Sequence, residues 1–167
     1  RKLISQNISM FERFERIEQR LSIYDDNFNK LFDAIESKEL KPKQGIFYEG
    51  QIFDAYAFVS ELIKSAKKSI ILIDNYVDET VLTMLSKNQE VQISIYTKTI
   101  SKQFKLDLEK YNSQYKTLTL KEFDLSHDRF LLIDDEIYHI GASLKDLGKK
   151  WFGFSKMHKE SFEIIGR

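Results

Sequence analysis

The run His127-Asp128-Arg129-Phe130-Leu131-Leu132-Ile133-Asp134 places an imidazole and a guanidinium two residues apart in an apolar segment. Residues at that spacing face the same way on a strand, so a strand over 127–133 projects His127 and Arg129 from one surface. Arginine offers a rigid fork of donors to two phosphate oxygens, and histidine can attack phosphorus or give up a proton. A single histidine on a strand serves equally well as a hydrogen-bonded structural residue, so the residues alone leave both readings open. Ser143, Lys145, Lys149 and Lys150 follow, with Trp151, Phe152 and Phe154 interleaved and Lys156 and Lys159 beyond. Lysines with flanking aromatics hold a phosphate backbone and stack bases. The same composition also arises where aromatics finish a core beneath solvated lysines. Asn75 and Tyr76 end the apolar run that begins at Ser69, where α/β sheets border their ligand crevice; a turn in which Asp78 caps the next helix is the plainer alternative. His127, Asp128 and His139 lack any metal-ligand spacing, so neither a metal nor another cofactor is expected. No glycine-rich phosphate loop and no Gly-x-Ser-x-Gly turn is present.

These residues need elements to position them. Strands are expected at 46–48, 69–74, 91–96, 118–123, 127–133 and 136–141, and a last one near Phe162 to Ile165. Helices are expected over 52–67, 78–87 and 101–112, with 141–159 as a loop. Strands alternating with helices imply an α/β layered sheet, and the turn at 134–136 adds an antiparallel hairpin. Residues 1–40 differ. Leu3, Met10, Ile17, Tyr24 and Leu31 recur every seventh residue, and Asn7, Phe14, Leu21, Phe28 and Ile35 form a second series. Such a double series is the seam of a left-handed coiled coil, and Asn7 at a seam position favours two in-register strands. Lys41-Pro42 stops the helix. The expected organisation is therefore a coiled-coil dimerisation helix over 1–40 and an α/β domain over 45–167.

The 26 basic and 26 acidic side chains of this 167-residue chain cancel, which excludes a uniformly basic nucleic-acid coat but not a local patch. The absence of cysteine excludes disulfide scaffolds and thiolate chemistry. No apolar run is long enough to cross a bilayer and no signal-peptide pattern opens the chain, so the expectation is cytoplasmic, without a membrane partner. Arg1 falls inside the helical pattern, which suggests a longer parent protein.

The pattern H-x-R-x4-D at 127–134, Gly141-Ala142-Ser143, and Glu160 later resemble the phospholipase D superfamily, whose signature is H-x-K-x4-D, a Gly-Ser pair with Asn two residues beyond, and a later Glu. Asp74-Asn75-Tyr76 and the stretch 141–148 resemble single-motif members found at the C-terminal end of phage-antirepressor-like bacterial proteins, behind a DNA-binding domain. The resemblance covers about residues 45–167 and implies a mixed sheet flanked by helices. It implies that His127 forms a phosphohistidine, Arg129 and Ser143 bind phosphate, Glu160 orients His127, and Asp134 is mainly structural. Lys145, Lys149, Lys150 and Asn75 would contact a phosphodiester, nucleic acid before lipid. Single-motif members build one site from two copies, and the heptads independently ask for a homodimer. Arg129 stands where the family has Lys and Lys145 where it has Asn. An active phosphodiesterase or nuclease and an inactive phosphate-binding regulatory module therefore both stay open.

Overall fold

The structure, a computed structural model, describes the backbone of residues 1–39 and 42–162 and the side chains of 1–35 and 42–161. The chain forms two compact units, Arg1–Pro42 and Lys43–Arg167. The first is the helix α1, Lys2–Glu39, about 57 Å long at 1.5 Å per residue. The side chains of its two apolar series, from Leu3 to Ile35, are exposed.

The second unit runs β1 (Gln44–Phe47), α2 (Ile52–Ser65), β2 (Ser69–Ile73), α3 (Glu79–Leu85), β3 (Gln92–Thr97), α4 (Lys102–Gln114), β4 (Thr119–Glu122), β5 (Arg129–Ile133), β6 (Glu136–Ile140) and β7 (Phe152–Met157). The seven strands make one mixed sheet in the order β1-β7-β6-β5-β2-β3-β4, with β2, β3 and β4 parallel and the remaining pairs antiparallel. This is an α/β domain built on one mixed seven-stranded sheet flanked by helices, as expected, and a long N-terminal helix precedes it in the chain. Asp78 accepts from the Thr80 N–H to start α3, and Ser101 accepts from the Phe104 N–H to start α4, which satisfies donors that a helix leaves free.

Alternation decides which face of the sheet is covered. Ile70, Leu72, Ile93, Ile95, Leu131, Ile133, Tyr138 and Ile140 share one face and form a single core with Val59, Leu62, Ile63, Val81, Leu85 and Phe104 of the helices. The other face carries Ile71, Ile73, Phe130, Leu132, Ile137 and His139. None of them belongs to that core, and Ile71, Phe130 and Leu132 are only half-buried. Among the described residues, no helix is long and apolar enough to cross a membrane.

Two expectations need correction. The stretch 141–159 is not all loop, because Phe152–Met157 forms β7, paired on one side with β6 and on the other with β1. Phe162 ends a short 3-10 turn, Lys159–Phe162, and the rest of the strand expected near Phe162 to Ile165 lies outside the described residues.

Candidate phosphate and nucleic-acid site

The site gathers at the end of the sheet where β2 stops and β5 begins. Ile73 is opposite Phe130, and Arg129 is opposite Ile140, so Asp74 to Tyr76, Arg129 and Gly141 to Ser143 converge there. A pocket of about 610 Å³ opens at this end, within the ~300–1,000 Å³ of ligand sites. It is lined by Tyr76, Arg129, Ser143, Lys145, Lys149, Lys150 and Trp151, with Gly141, Ala142 and Asp146 between them. The cations outnumber the one carboxylate, so the pocket suits an anion.

Asp74 lies beneath the pocket, fully buried, and sequence reasoning gave it no role. Its carboxylate accepts from the Leu144 N–H at 2.9 Å and the Tyr76 N–H at 3.0 Å. The Ser143 hydroxyl lies 2.8 Å from Asp74 Oδ2 and 2.9 Å from the Tyr76 carbonyl oxygen. One hydroxyl carries one proton, so it cannot serve two acceptors fully at once. Burial pushes the Asp74 carboxyl above its usual range, against the pull of the Leu144 and Tyr76 N–H groups, Ser143 and the Arg129 charge. The signal in the sequence was an acidic residue closing the apolar run Ile70-Ile71-Leu72-Ile73.

Arg129 is half-buried and sits with its guanidinium carbon 5.7 Å from the centre of the Tyr76 ring, a cation–π contact. Its Nε is buried and has no hydrogen-bond partner among the described residues. Lys145 and Lys149 converge on Asp146, at 3.1 and 2.7 Å. Hydrogen bonding by Lys149, with partial burial opposing it, holds the Asp146 carboxyl below its usual range, and the bond to Asp146 raises the Lys145 ammonium. Both lysines line the pocket. Lys150 and Trp151 are exposed at the rim.

The loop carrying these groups is anchored by glycine. Gly148 adopts φ 73°, and a Cβ there would stand 2.6 Å from the Gln51 carbonyl oxygen and the Ile52 Cα. Gly50, also left-handed at φ 91°, donates its N–H to the Gly148 carbonyl at 3.0 Å. Both contacts fix the 144–151 loop against the turn between β1 and α2.

Other expected site residues are not brought together. His127 is exposed and lies in the bend before β5, not on the strand, so it does not share a pleat with Arg129. The reason is pairing. Gly141 turns to donate to the Gly153 carbonyl, and β2 ends opposite Phe130, so residues 127 and 128 have no ladder partner. His127 is not among the pocket-lining residues and makes no hydrogen bond or ion pair with any described residue. Its loop is tied by Asn75, whose Nδ2 donates to the Ser126 carbonyl at 2.8 Å while Oδ1 is buried without a partner among the described residues. His139 instead approaches Asp128, at 3.4 Å, and among the described residues no group of metal-ligating side chains converges.

Glu160 and Asp134 lie at the opposite end of the sheet. Asp134 closes β5, so at 3.3 Å per residue it is roughly 20 Å from His127 along the chain. Its carboxylate accepts from the N–H groups of Lys67, Lys68 and Ser69 at 2.7–3.1 Å. Partial desolvation raises the Asp134 carboxyl, but those three N–H groups and the Lys68 charge outweigh it and hold it below its usual range. Glu160 follows β7, next to Lys159, whose Nζ reaches Asp135 at 2.6 Å, and it makes no contact with His127. The expected Glu160–His127 pair is therefore not formed within one chain, because β7 carries the chain away from the Arg129 end.

No family model and no curated protein matches the sequence. Among solved structures, the chain is similar to NucT from Helicobacter pylori, with a TM-score of 0.53 at 13% identity over 71% of this chain and 87% of that one. It is also similar to TrmBL2, an archaeal chromatin protein, at TM-score 0.49, 14% identity and 90% coverage of this chain. Phosphatidylserine synthase from Haemophilus influenzae Rd KW20 follows at TM-score 0.47, 14% identity and 74% coverage. The chain spans 60% of the TrmBL2 chain and 35% of the synthase chain. At these identities the likeness concerns the fold.

Proposed function

We propose that the second unit binds the phosphodiester backbone of a nucleic acid in the Arg129 pocket and does so as a homodimer. One observation carries this reading: Arg129, Lys145, Lys149 and Lys150 line a single pocket against one carboxylate. Arg129 supplies the directional fork and the lysines supply charge, the division of labour that phosphate binding asks for. Ser143 enters this reading as a positioning residue, because its hydroxyl is already engaged by Asp74 and the Tyr76 carbonyl. Two features support the homodimer: the exposed heptad seam of α1, and the apolar sheet face around Ile71, Phe130 and Leu132 that the helices leave uncovered.

A second reading, cleavage, is favoured by one observation. His127 is exposed beside Arg129 in sequence, with no partner among the described residues to restrain its attack. In that mechanism the imidazole nitrogen of His127 forms a bond to phosphorus as the bond to the leaving oxygen breaks. The protonated His127 of a second copy gives that oxygen its proton. Water then attacks the phosphohistidine, returns its proton to the second histidine, and regenerates His127.

Incubation of the protein with single-stranded DNA, duplex DNA and a chromogenic phosphodiester, in chelator, separates the readings. Binding that weakens in Arg129→Ala, with no cleavage that disappears in His127→Ala, supports binding alone. His127-dependent turnover establishes the second reading, and Arg129→Lys then raises it if Arg impairs an older site. No binding in wild type removes both. A monomer by light scattering at micromolar concentration removes the shared site.

A further inference from the structure

The pocket's charged wall has an aromatic counterpart that phosphate binding does not need. Trp151 is 67% exposed, an unusual position for the chain's only tryptophan, whose large apolar surface favours burial. It lines the same pocket as Arg129 and the lysines. It is also held in place. Phe47 and Phe152 are paired across β1 and β7 with stacked rings 5.2 Å apart, so the residues that follow and precede them, Tyr48 and Trp151, meet beyond the end of the ladder. Their rings contact edge to face at 4.6 Å and 85°. Tyr48 is fixed in turn, because its N–H donates to the Gln51 side chain at 2.8 Å and its carbonyl accepts from the Gln51 N–H. A single edge-to-face neighbour occupies at most one face of the indole and leaves the other open to a third ring. Gly141 also lines the pocket, and a Cβ there would press on the Gly153 carbonyl oxygen at 3.0 Å.

We infer that Trp151 is a stacking platform for an unpaired base, so that the pocket takes single-stranded nucleic acid, with the phosphate at Arg129 and the lysines and the neighbouring base on the indole. This rests on the phosphodiester reading of the pocket. A base in a duplex is stacked on both sides and cannot present its face to the indole, whereas an unpaired base can. Stacking reads the π-face that every base has, so the preference is for strandedness over sequence. A lipid phosphodiester has no ring to offer this wall.

Because Trp151 is the only tryptophan, its emission reports on the platform directly. The full chain carrying His127→Ala, which cannot consume the probe through that residue, is titrated with three probes. These are a short oligothymidylate, an abasic strand of the same length, and the corresponding duplex. The thymidylate strand is expected to quench the emission saturably, and the abasic strand and the duplex are not. By anisotropy, Trp151→Ala weakens thymidylate binding roughly 5- to 150-fold while Trp151→Phe retains most of it. The abasic strand binds with and without Trp151 alike. Thymidylate binding that leaves the emission unchanged, or that survives Trp151→Ala intact, overturns the platform and spares the phosphate site. A duplex that quenches as strongly overturns the preference for unpaired bases. If none of the probes binds, the phosphodiester reading falls as well.

Discussion

The two ends of the sheet are both polar, yet they are built on opposite principles. At the Asp134 end, the carboxylate faces three N–H groups, and Asp135 and Glu136 are engaged by Lys159, Lys68 and Lys156. At the Arg129 end, Arg129 Nε and Asn75 Oδ1 are buried without partners among the described residues, a carboxyl is pushed above its usual range, and a tryptophan faces solvent. Buried polar groups normally find partners, so unmet ones mark where a fold makes room for something else. One end is a fastening and the other a candidate site, although both belong to the same H-x-R-x4-D run.

The sharpest test of this contrast is Gly148→Ala. A methyl group would meet backbone at 2.6 Å in a left-handed conformation, so a loss of about 3 kcal/mol in denaturant unfolding is expected, together with oligonucleotide binding. Retained binding at near-wild-type stability would show that the loop anchor is dispensable. Asp134→Ala and Asp74→Asn come next, each expected to lose about 2 kcal/mol of stability. Their functional outcomes should diverge. Asp134→Ala leaves the pocket intact and oligonucleotide affinity unchanged, whereas Asp74→Asn sets an NH2 group against either the Leu144 or the Tyr76 N–H and lowers affinity. Equal effects on affinity would erase the distinction between the ends.

The pH dependence should also split. The Asp134 carboxyl is held low, so its contribution is present above the usual carboxylate range and is lost as pH falls through its depressed pKa. The Asp74 carboxyl is raised, so its contribution is present below that range and is lost as pH rises through its elevated pKa. Unfolding free energy measured against pH should show a shallower acid-side fall in Asp134→Ala, with Asp135 and Asp146 supplying the rest. In Asp74→Asn it should lose the decline on raising pH instead. The smallest expected effect is that of Lys149→Ala, which should reduce the slope of log affinity against log salt by roughly one while leaving stability near wild type.

Much of this was legible in the chain. The alternation of buried runs with amphipathic segments marked the β/α order, and Asp78 caps α3 as the plainer reading of 74–78 had it. Arg129, Ser143, Lys145, Lys149 and Lys150 do share one pocket. What failed was end and direction. Phe152–Met157 is flanked by lysines and contains Gly153, so it read as loop, yet its two-sided pairing makes it a strand. Each strand reverses the end at which the next residue emerges, and missing one moved Glu160 across the whole sheet. His127 was misread for a related reason: apolar alternation marks where a strand can run, but the partners decide where it starts. Asp74 was missed because burial and a hydroxyl with two acceptors are properties of packing, not of spacing.

The pairing of β1 with β7 bears on the order in which the molecule assembles. It joins Gln44 to Ser155, a longer stretch of chain than any other pairing in the sheet has to close. Loop closure opposes such contacts until the intervening strands have brought the ends together. Tyr48 and Trp151 meet only through that last closure, so a chain in which β2 to β6 have already docked still has an unfinished pocket. Recovery of Trp151 emission during refolding should therefore lag behind secondary structure, and competence to bind should appear with the slower phase.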